Sequence, residues 1–312
     1  MLNHLPSAGH PVLRALFLAS AAALVVGGAA GAVRAESPAV QASPAFTSDR
    51  LSVEVVGQGP DVILIPGLAS SREVWRAEAD RLKATHRVHL VQLAGFAGEP
   101  WTHGDGAFMQ PMVDELSRYV AEQTSGRPAV IGHSMGALTG LMLAQQHPDQ
   151  VDRLLSVDSL PFFGALMGPT ATADSLRPAA DSMASIVLSS SEADFLAGQR
   201  QTATGMAKGA DDRARIVDWS LATDRHALAS AMRDVMTTDM RPLLAGMTTP
   251  VTALYASDAD GGAPAAMADA MWSSQYADLP GVRLVRIDGT RHFIMMDQPQ
   301  AFARAVDAFL AP

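Results

Sequence analysis

Val130-Ile131-Gly132-His133-Ser134-Met135-Gly136 is the stretch from which the rest of the chain is read. A short apolar run at 128–131 gives way to a small-residue turn and then to 137–147, where apolar residues recur with helical spacing. Strand, sharp turn and helix therefore follow one another directly. A serine at the apex of such a turn must adopt a strained backbone conformation that lifts its hydroxyl clear of the sheet. Glycines two residues to either side keep side chains out of the crowded space between strand and helix. Gly132-x-Ser134-x-Gly136 has the form of a nucleophile elbow.

The surroundings have the matching rhythm. Leu51–Val56 alternates as a strand, 57–60 is turn chemistry, and Asp61–Ile65 is a β-branched apolar run of the kind buried inside parallel sheets. Pro66-Gly67-Leu68-Ala69 follows, and Ser70 or Ser71 can cap a helix running to Lys83. A strand at 89–93, a helix at 106–124, the elbow and a strand at Arg153–Val157 complete the first half. The second half has a strand at 250–255, a helix at 264–277, a strand at 282–287 and a helix at Pro299–Leu310. Repeated β-α units predict an α/β fold, a doubly wound and mostly parallel sheet with helices on both faces. Between 160 and 247 no β-branched run occurs. Helix-length segments at Ala173–Ser189, Glu192–Met206, 211–222 and 225–236 predict an inserted helical cap.

The N-terminus is different material. Arg14 precedes an almost unbroken Ala/Leu/Val/Gly stretch, and Val33-Arg34-Ala35 has the small-x-small form of a cleavage site. The expected organisation is an export signal at 1–35, a linker at 36–48, a core formed by 49–159 and 248–312, and the cap at 160–247. The expected destination is the periplasm or the exterior. The alternative is a membrane anchor at 13–32, because the apolar run approaches bilayer length. The chain of 312 residues is 48% hydrophobic and 18% charged, enough for a large core, and it has no cysteine for a disulfide or a lipid. Its formal charge of −9, without basic runs, excludes nucleic acid and anionic membrane surfaces as electrostatic partners. No metal-ligand cluster, phosphate-cradling loop or cofactor motif is visible, so no cofactor and no metal are expected.

A serine nucleophile needs a base with a pKa near neutrality that can later return the proton, and an acid that holds the base in the right tautomer. His292, in the loop past the last strand, is the expected base. Two aspartates compete for the acid: Asp258 after the strand at 250–255, the first choice, and Asp158 after Arg153–Val157, the alternative. Asp260 is a weaker third, and Asp288 is too near His292 in sequence to lie behind its ring. The oxyanion hole is expected from the backbone N–H groups of Leu68 and Met135. His133 is read as structural. Phe108, Met109, Met112, Phe162, Phe163 and Met167 are candidates for an apolar pocket, and Trp101, His103 and Asp105 for a loop reaching the cleft.

Pro66-Gly67-Leu68, Gly95-Phe96-Ala97-Gly98, Gly132-His133-Ser134-Met135-Gly136, and His292-Phe293 followed by Asp297-Gln298-Pro299 together resemble the α/β-hydrolase superfamily over about 51–310. The resemblance implies a triad of Ser134, an acid and His292, with the inserted helices as a lid. Three places depart from the family pattern. Pro66-Gly67 stands where many members have His-Gly, the usual Gly-x-x-Asp context of the acid is blurred into Ala256-Ser257-Asp258-Ala259-Asp260, and the cap is low in complexity. Serine at a position where dehalogenases and epoxide hydrolases of the superfamily carry aspartate implies acyl transfer, and so the hydrolysis of an ester, thioester or amide. A small, largely apolar substrate is expected. Two other readings are a proline-specific type of serine peptidase and a non-catalytic binding scaffold.

Overall fold

The computed structural model describes residues 46–311, so the expected signal segment and most of the linker lie outside the described residues. Seven strands form one sheet in the order β1-β3-β2-β4-β5-β6-β7. They are β1 (Leu51–Val56), β2 (Asp61–Ile65), β3 (Arg87–Leu93), β4 (Ala129–His133), β5 (Arg153–Val157), β6 (Val251–Ser257) and β7 (Arg283–Asp288). β1 runs antiparallel to β3, and every other pairing is parallel. Successive parallel strands need crossovers: α1 (Arg76–Leu82) joins β2 to β3, α2 (Met109–Gln123) β3 to β4, α3 (Met135–Gln146) β4 to β5, and α8 (Ala265–Gln275) β6 to β7, while α9 (Ile294–Asp297) and α10 (Pro299–Leu310) follow the last strand.

The period-2 geometry of β2 divides its apolar side chains between two cores. Ile63 and Ile65 face α2 and α3 together with Val91, Val130 and Leu154. Val62 and Leu64 face Trp75 and the Phe302, Val306 and Phe309 stripe of α10. α3 is buried from Met135 to Ala144, as expected of a helix sandwiched against the central strands.

Four helices lie between β5 and β6: α4 (Ala173–Ser189), α5 (Glu192–Met206), α6 (Ala210–Leu221) and α7 (Arg225–Thr237). α4 packs on α7, and α5 on α6. Their starts are written in side chains. Thr172 and Ser175 form a reciprocal capping box for α4, Ser191 caps α5, and Asp224 caps α7 through the N–H groups of His226 and Ala227. Among the described residues no helix is long and apolar enough to cross a membrane.

At the end of the sheet away from these helices, a buried polar network ties β2, β3 and α2 together. His89 Nδ1 accepts from the Tyr119 hydroxyl at 2.6 Å, and its Nε2–H donates to Asp61 Oδ1 at 2.9 Å. Ser125 donates to Asp61 Oδ2 through both its N–H and its hydroxyl. Burial pushes the His89 pKa below its ordinary value against the pull of Asp61, so the ring is neutral. Burial pushes Tyr119 up to about 12.

Candidate active site

Ser134 sits between β4 and α3 with φ 54° and ψ −123°, outside the regions that suit L-residues. Its N–H donates to Val157 O at 2.9 Å, and its carbonyl accepts from Ala137 N and Leu138 N at 2.9 and 3.1 Å. The two flanking glycines permit this. A Cβ on Gly132 would lie 2.5 Å from Gly136 O, and one on Gly136 would lie 2.5 Å from Ile65 O. Met135 begins α3, so its N–H has no acceptor within the helix. Leu68 follows β2, and both residues line the cavity that contains Ser134.

The carboxylate behind His292 belongs to Asp158, whose Oδ2 lies 2.7 Å from His292 Nδ1. Its other oxygen accepts the Ala256 N–H at 2.9 Å, and its own N–H donates to Leu254 O at 2.7 Å. An ionised carboxylate only accepts, so His292 carries its proton on Nδ1 and leaves the Nε2 lone pair for a hydroxyl. Asp258, the first choice from sequence, is turned elsewhere. Its Oδ2 accepts from Arg291 Nε at 2.9 Å and its Oδ1 from Lys208 Nζ at 3.1 Å, so neither oxygen is free for the histidine. The Arg291 hydrogen bond, aided by Lys208, holds its carboxyl below the ordinary range. Asp260 lies in the short turn after β6, and Asp288 is bound by Ser257 and Arg286.

His133 points away from the hydroxyl it precedes. Its Nε2–H donates to the His292 carbonyl at 3.0 Å, and the two rings stand 4.5 Å apart. Burial, with His292 alongside, pushes its pKa well below the ordinary value, and Nδ1 is buried with no hydrogen-bond partner. A neutral His133 therefore supports the main chain of the loop bearing His292. Tyr276 does comparable work for the loop bearing Asp158, binding Ser159 O at 3.0 Å and Ser156 Oγ at 2.9 Å from full burial.

The cavity over Ser134 has a volume of about 450 Å³ and is lined mainly by apolar side chains. The segment after β5 contributes Leu160 and Phe163, the loop after β7 Phe293, and the inserted helices Val187, Met206, Trp219 and Met232, with Gln199, Thr202 and Ser220 as polar points. Among the described residues no lysine or arginine lines it. Of the six apolar candidates read from sequence, Phe163 alone reaches this cavity. Phe108, Met109 and Met112 belong to the core beneath the sheet, Phe162 packs on Ala165 and Leu176, and Met167 is exposed. The Trp101 loop does not line it either: Trp101 stacks on Phe108, His103 contacts Asp49 O, and Asp105 pairs with His226. Gln199, Thr202, Trp219 and Met232 carried no signal in sequence, because only the pairing of the helices turns them toward Ser134. Among the described residues no group of three or more His, Asp or Glu is placed to hold a metal.

A seven-stranded, mostly parallel sheet with serine at the elbow after β4 and histidine after β7 defines an architecture, and the model of the alpha/beta hydrolase family matches residues 62–305; the chain belongs to that family. It is similar to the pimeloyl-[acyl-carrier protein] methyl ester esterase of Nitrosomonas europaea, 26% identical over 265 residues that cover 83% of this chain and 98% of the relative. The enzyme of the same name from Aeromonas hydrophila subsp. hydrophila is 27% identical over 264 residues, covering 83% and 99%. Among solved structures, the enol-lactonase of Burkholderia xenovorans LB400 shares the fold with a TM-score of 0.69 at 19% identity, covering 83% of this chain and 96% of that one.

Proposed function

We propose that the chain is an exported serine hydrolase that cleaves a carboxylic ester of a small, uncharged, largely apolar substrate. The observation that carries this reading is the 2.7 Å contact of Asp158 with His292 Nδ1, at the wall of the apolar cavity that contains Ser134. Ester-acting relatives that align over nearly their whole length support the bond type.

In this reading Ser134 Oγ attacks the ester carbonyl carbon while His292 Nε2 takes the hydroxyl proton. Asp158 keeps the imidazole in its Nδ1–H tautomer and stabilises the imidazolium. The N–H groups of Leu68 and Met135 receive the developing oxyanion. The imidazolium returns its proton to the departing alcohol, leaving an acyl group on Ser134. Water activated by the same nitrogen then releases the acid. The apolar lining favours an aliphatic or aromatic group, and without a cation in the wall an anionic group near Ser134 would lose its hydration uncompensated.

Turnover of p-nitrophenyl esters from acetate to decanoate by the chain lacking residues 1–35 tests this. Activity that peaks at an intermediate acyl length and is lost in Ser134→Ala supports the reading. Equal activity in Ser134→Ala, or cleavage of prolyl amides in preference to every ester, contradicts it. Export is tested by fractionating cells that express the full chain. A mature form starting near Glu36 outside the cytoplasm supports a cleaved signal, and full-length protein in the membrane fraction means an anchor.

A further inference from the structure

The aspartate that sequence singled out as the acid is more buried than Asp158, yet the reaction outlined above gives it no task. Its side chain is 6% exposed and both oxygens are engaged by cations from different parts of the chain. Arg291 immediately precedes His292. Lys208 sits between α5 and α6, next to the cavity-lining Met206. Asp258 itself is fixed at the end of β6 by paired main-chain hydrogen bonds with Ala263. Gly261 allows the following turn to close on the carboxylate, since a Cβ there would lie 2.8 Å from Asp258 Oδ2.

Around this ion triplet further hydrogen bonds, each using at least one main-chain group, join the histidine loop to the α5–α6 junction. Arg291 Nη1 donates to Thr204 O. Phe293 N donates to Met206 O at 2.9 Å. One carboxylate, Asp297, accepts the N–H groups of both Arg291 and Lys208 at 2.8 Å. The inserted helices contribute much of the cavity wall, and this is where they meet the loop that carries the base.

We propose that Asp258 is a positioning residue: through Arg291 and Lys208 it clasps the His292 loop to the α5–α6 junction, so that the pocket wall at Met206 and the imidazole hold their places together. The inference rests on the serine-hydrolase reading. Neutralising Asp258 would remove the anion shared by Arg291 and Lys208, whose side chains are 22% and 40% exposed, so each cation could turn to water and the loop would lose its tie to the junction. Displacements of about 1 Å at a reacting group cost rates on the order of 100-fold.

The test compares Asp258→Asn, Arg291→Met and the double variant with wild type for kcat and KM on p-nitrophenyl butyrate, well below each melting temperature. Hydrogen exchange is followed at the Phe293 and Lys208 amides. The expected result is a fall in kcat of about 10- to 100-fold in each single variant, no further fall in the double, and faster exchange at both amides in Asp258→Asn. Fluorophosphonate labelling of wild type separates the two readings. An unlabelled, inactive wild type removes the hydrolase reading, whereas the exchange comparison still judges the clasp. Wild-type kcat with unchanged exchange in Asp258→Asn overturns the clasp. So do additive losses that merely follow melting temperature. A loss in Asp258→Asn as deep as in Asp158→Asn overturns it by making Asp258 an acid of the reaction.

Discussion

Asp158 and Ser134 stand at the ends of adjacent strands, both with positive φ, 46° and 54°, and the Ser134 N–H closes on the residue before Asp158 at 2.9 Å. Ser134 and the carboxylate beside His292 thus stand one step beyond the last pair of the β4–β5 ladder, His133 with Val157. Asparagine tolerates positive φ, so Asp158→Asn should fold normally while presenting an amide to His292 Nδ1 and favouring the wrong tautomer. The expected loss in kcat is about 10³- to 10⁴-fold with a small change in melting temperature, read by steady-state kinetics beside a thermal melt.

The elbow has almost no steric reserve. Gly136→Ala places a methyl group against the carbonyl oxygens of Ile65 and Pro66, which are main-chain atoms of a central strand and its exit. The expected cost is about 1–3 kcal/mol, as for other overpacked interiors. By contrast, Gly205 in α5 has nothing within 4 Å of a Cβ. Gly205→Ala should be neutral or stabilise by about 0.5–1 kcal/mol. Denaturant melts of the pair check both signs.

Two buried neutral histidines should make the fold sensitive to acid. Burial lowers the pKa of both His133 and His89 in the folded chain, whereas the unfolded chain protonates them near 6.5. Below that pH the unfolded state holds more protons, so stability falls as pH drops and is fully present above it. Each ring contributes a slope of up to about 1.4 kcal/mol per pH unit below 6.5. Denaturation free energies measured from pH 8 to pH 5 should bend downward near 6.5, and His89→Gln should reduce the slope. A flat profile would mean that these rings take up protons in the fold as readily as in the unfolded chain.

Met232, on α7, projects into the cavity over Ser134. Met232→Trp should shift the preferred p-nitrophenyl ester to a shorter acyl chain, chiefly by raising KM for the longer ones, with acetate turnover reduced much less. An unchanged chain-length profile would place the acyl group elsewhere.

The fold was legible wherever a local rule carried the signal. β1, β2 and β5 stand where alternation or β-branched runs place them, and the elbow is announced by two glycines that the geometry requires. α4 and α5 begin where Thr172 and Ser191 cap them. The helix read as 106–124 starts at Met109 instead, since the N–H groups of Phe108 and Met109 are satisfied by Asp234 from α7, a partner invisible along the sequence. The acid was ambiguous for a physical reason. β5 and β6 are neighbours, so Asp158 and Asp258 reach the same rim, and strand order alone does not choose between them. In space the two part: Asp158 lies beside His292, and Arg291 and Lys208 engage Asp258. Arg291, adjacent to His292 in sequence, was the one readable hint.

If Ser134 is the nucleophile, a reagent that bonds to activated serines marks it and no other residue. Purified protein treated with a fluorophosphonate, digested and sequenced by mass spectrometry should carry one phosphonyl group on Ser134, with labelling slowed at least about 10³-fold in His292→Ala. A correctly folded protein that takes no label, or takes it at another residue, would contradict the account.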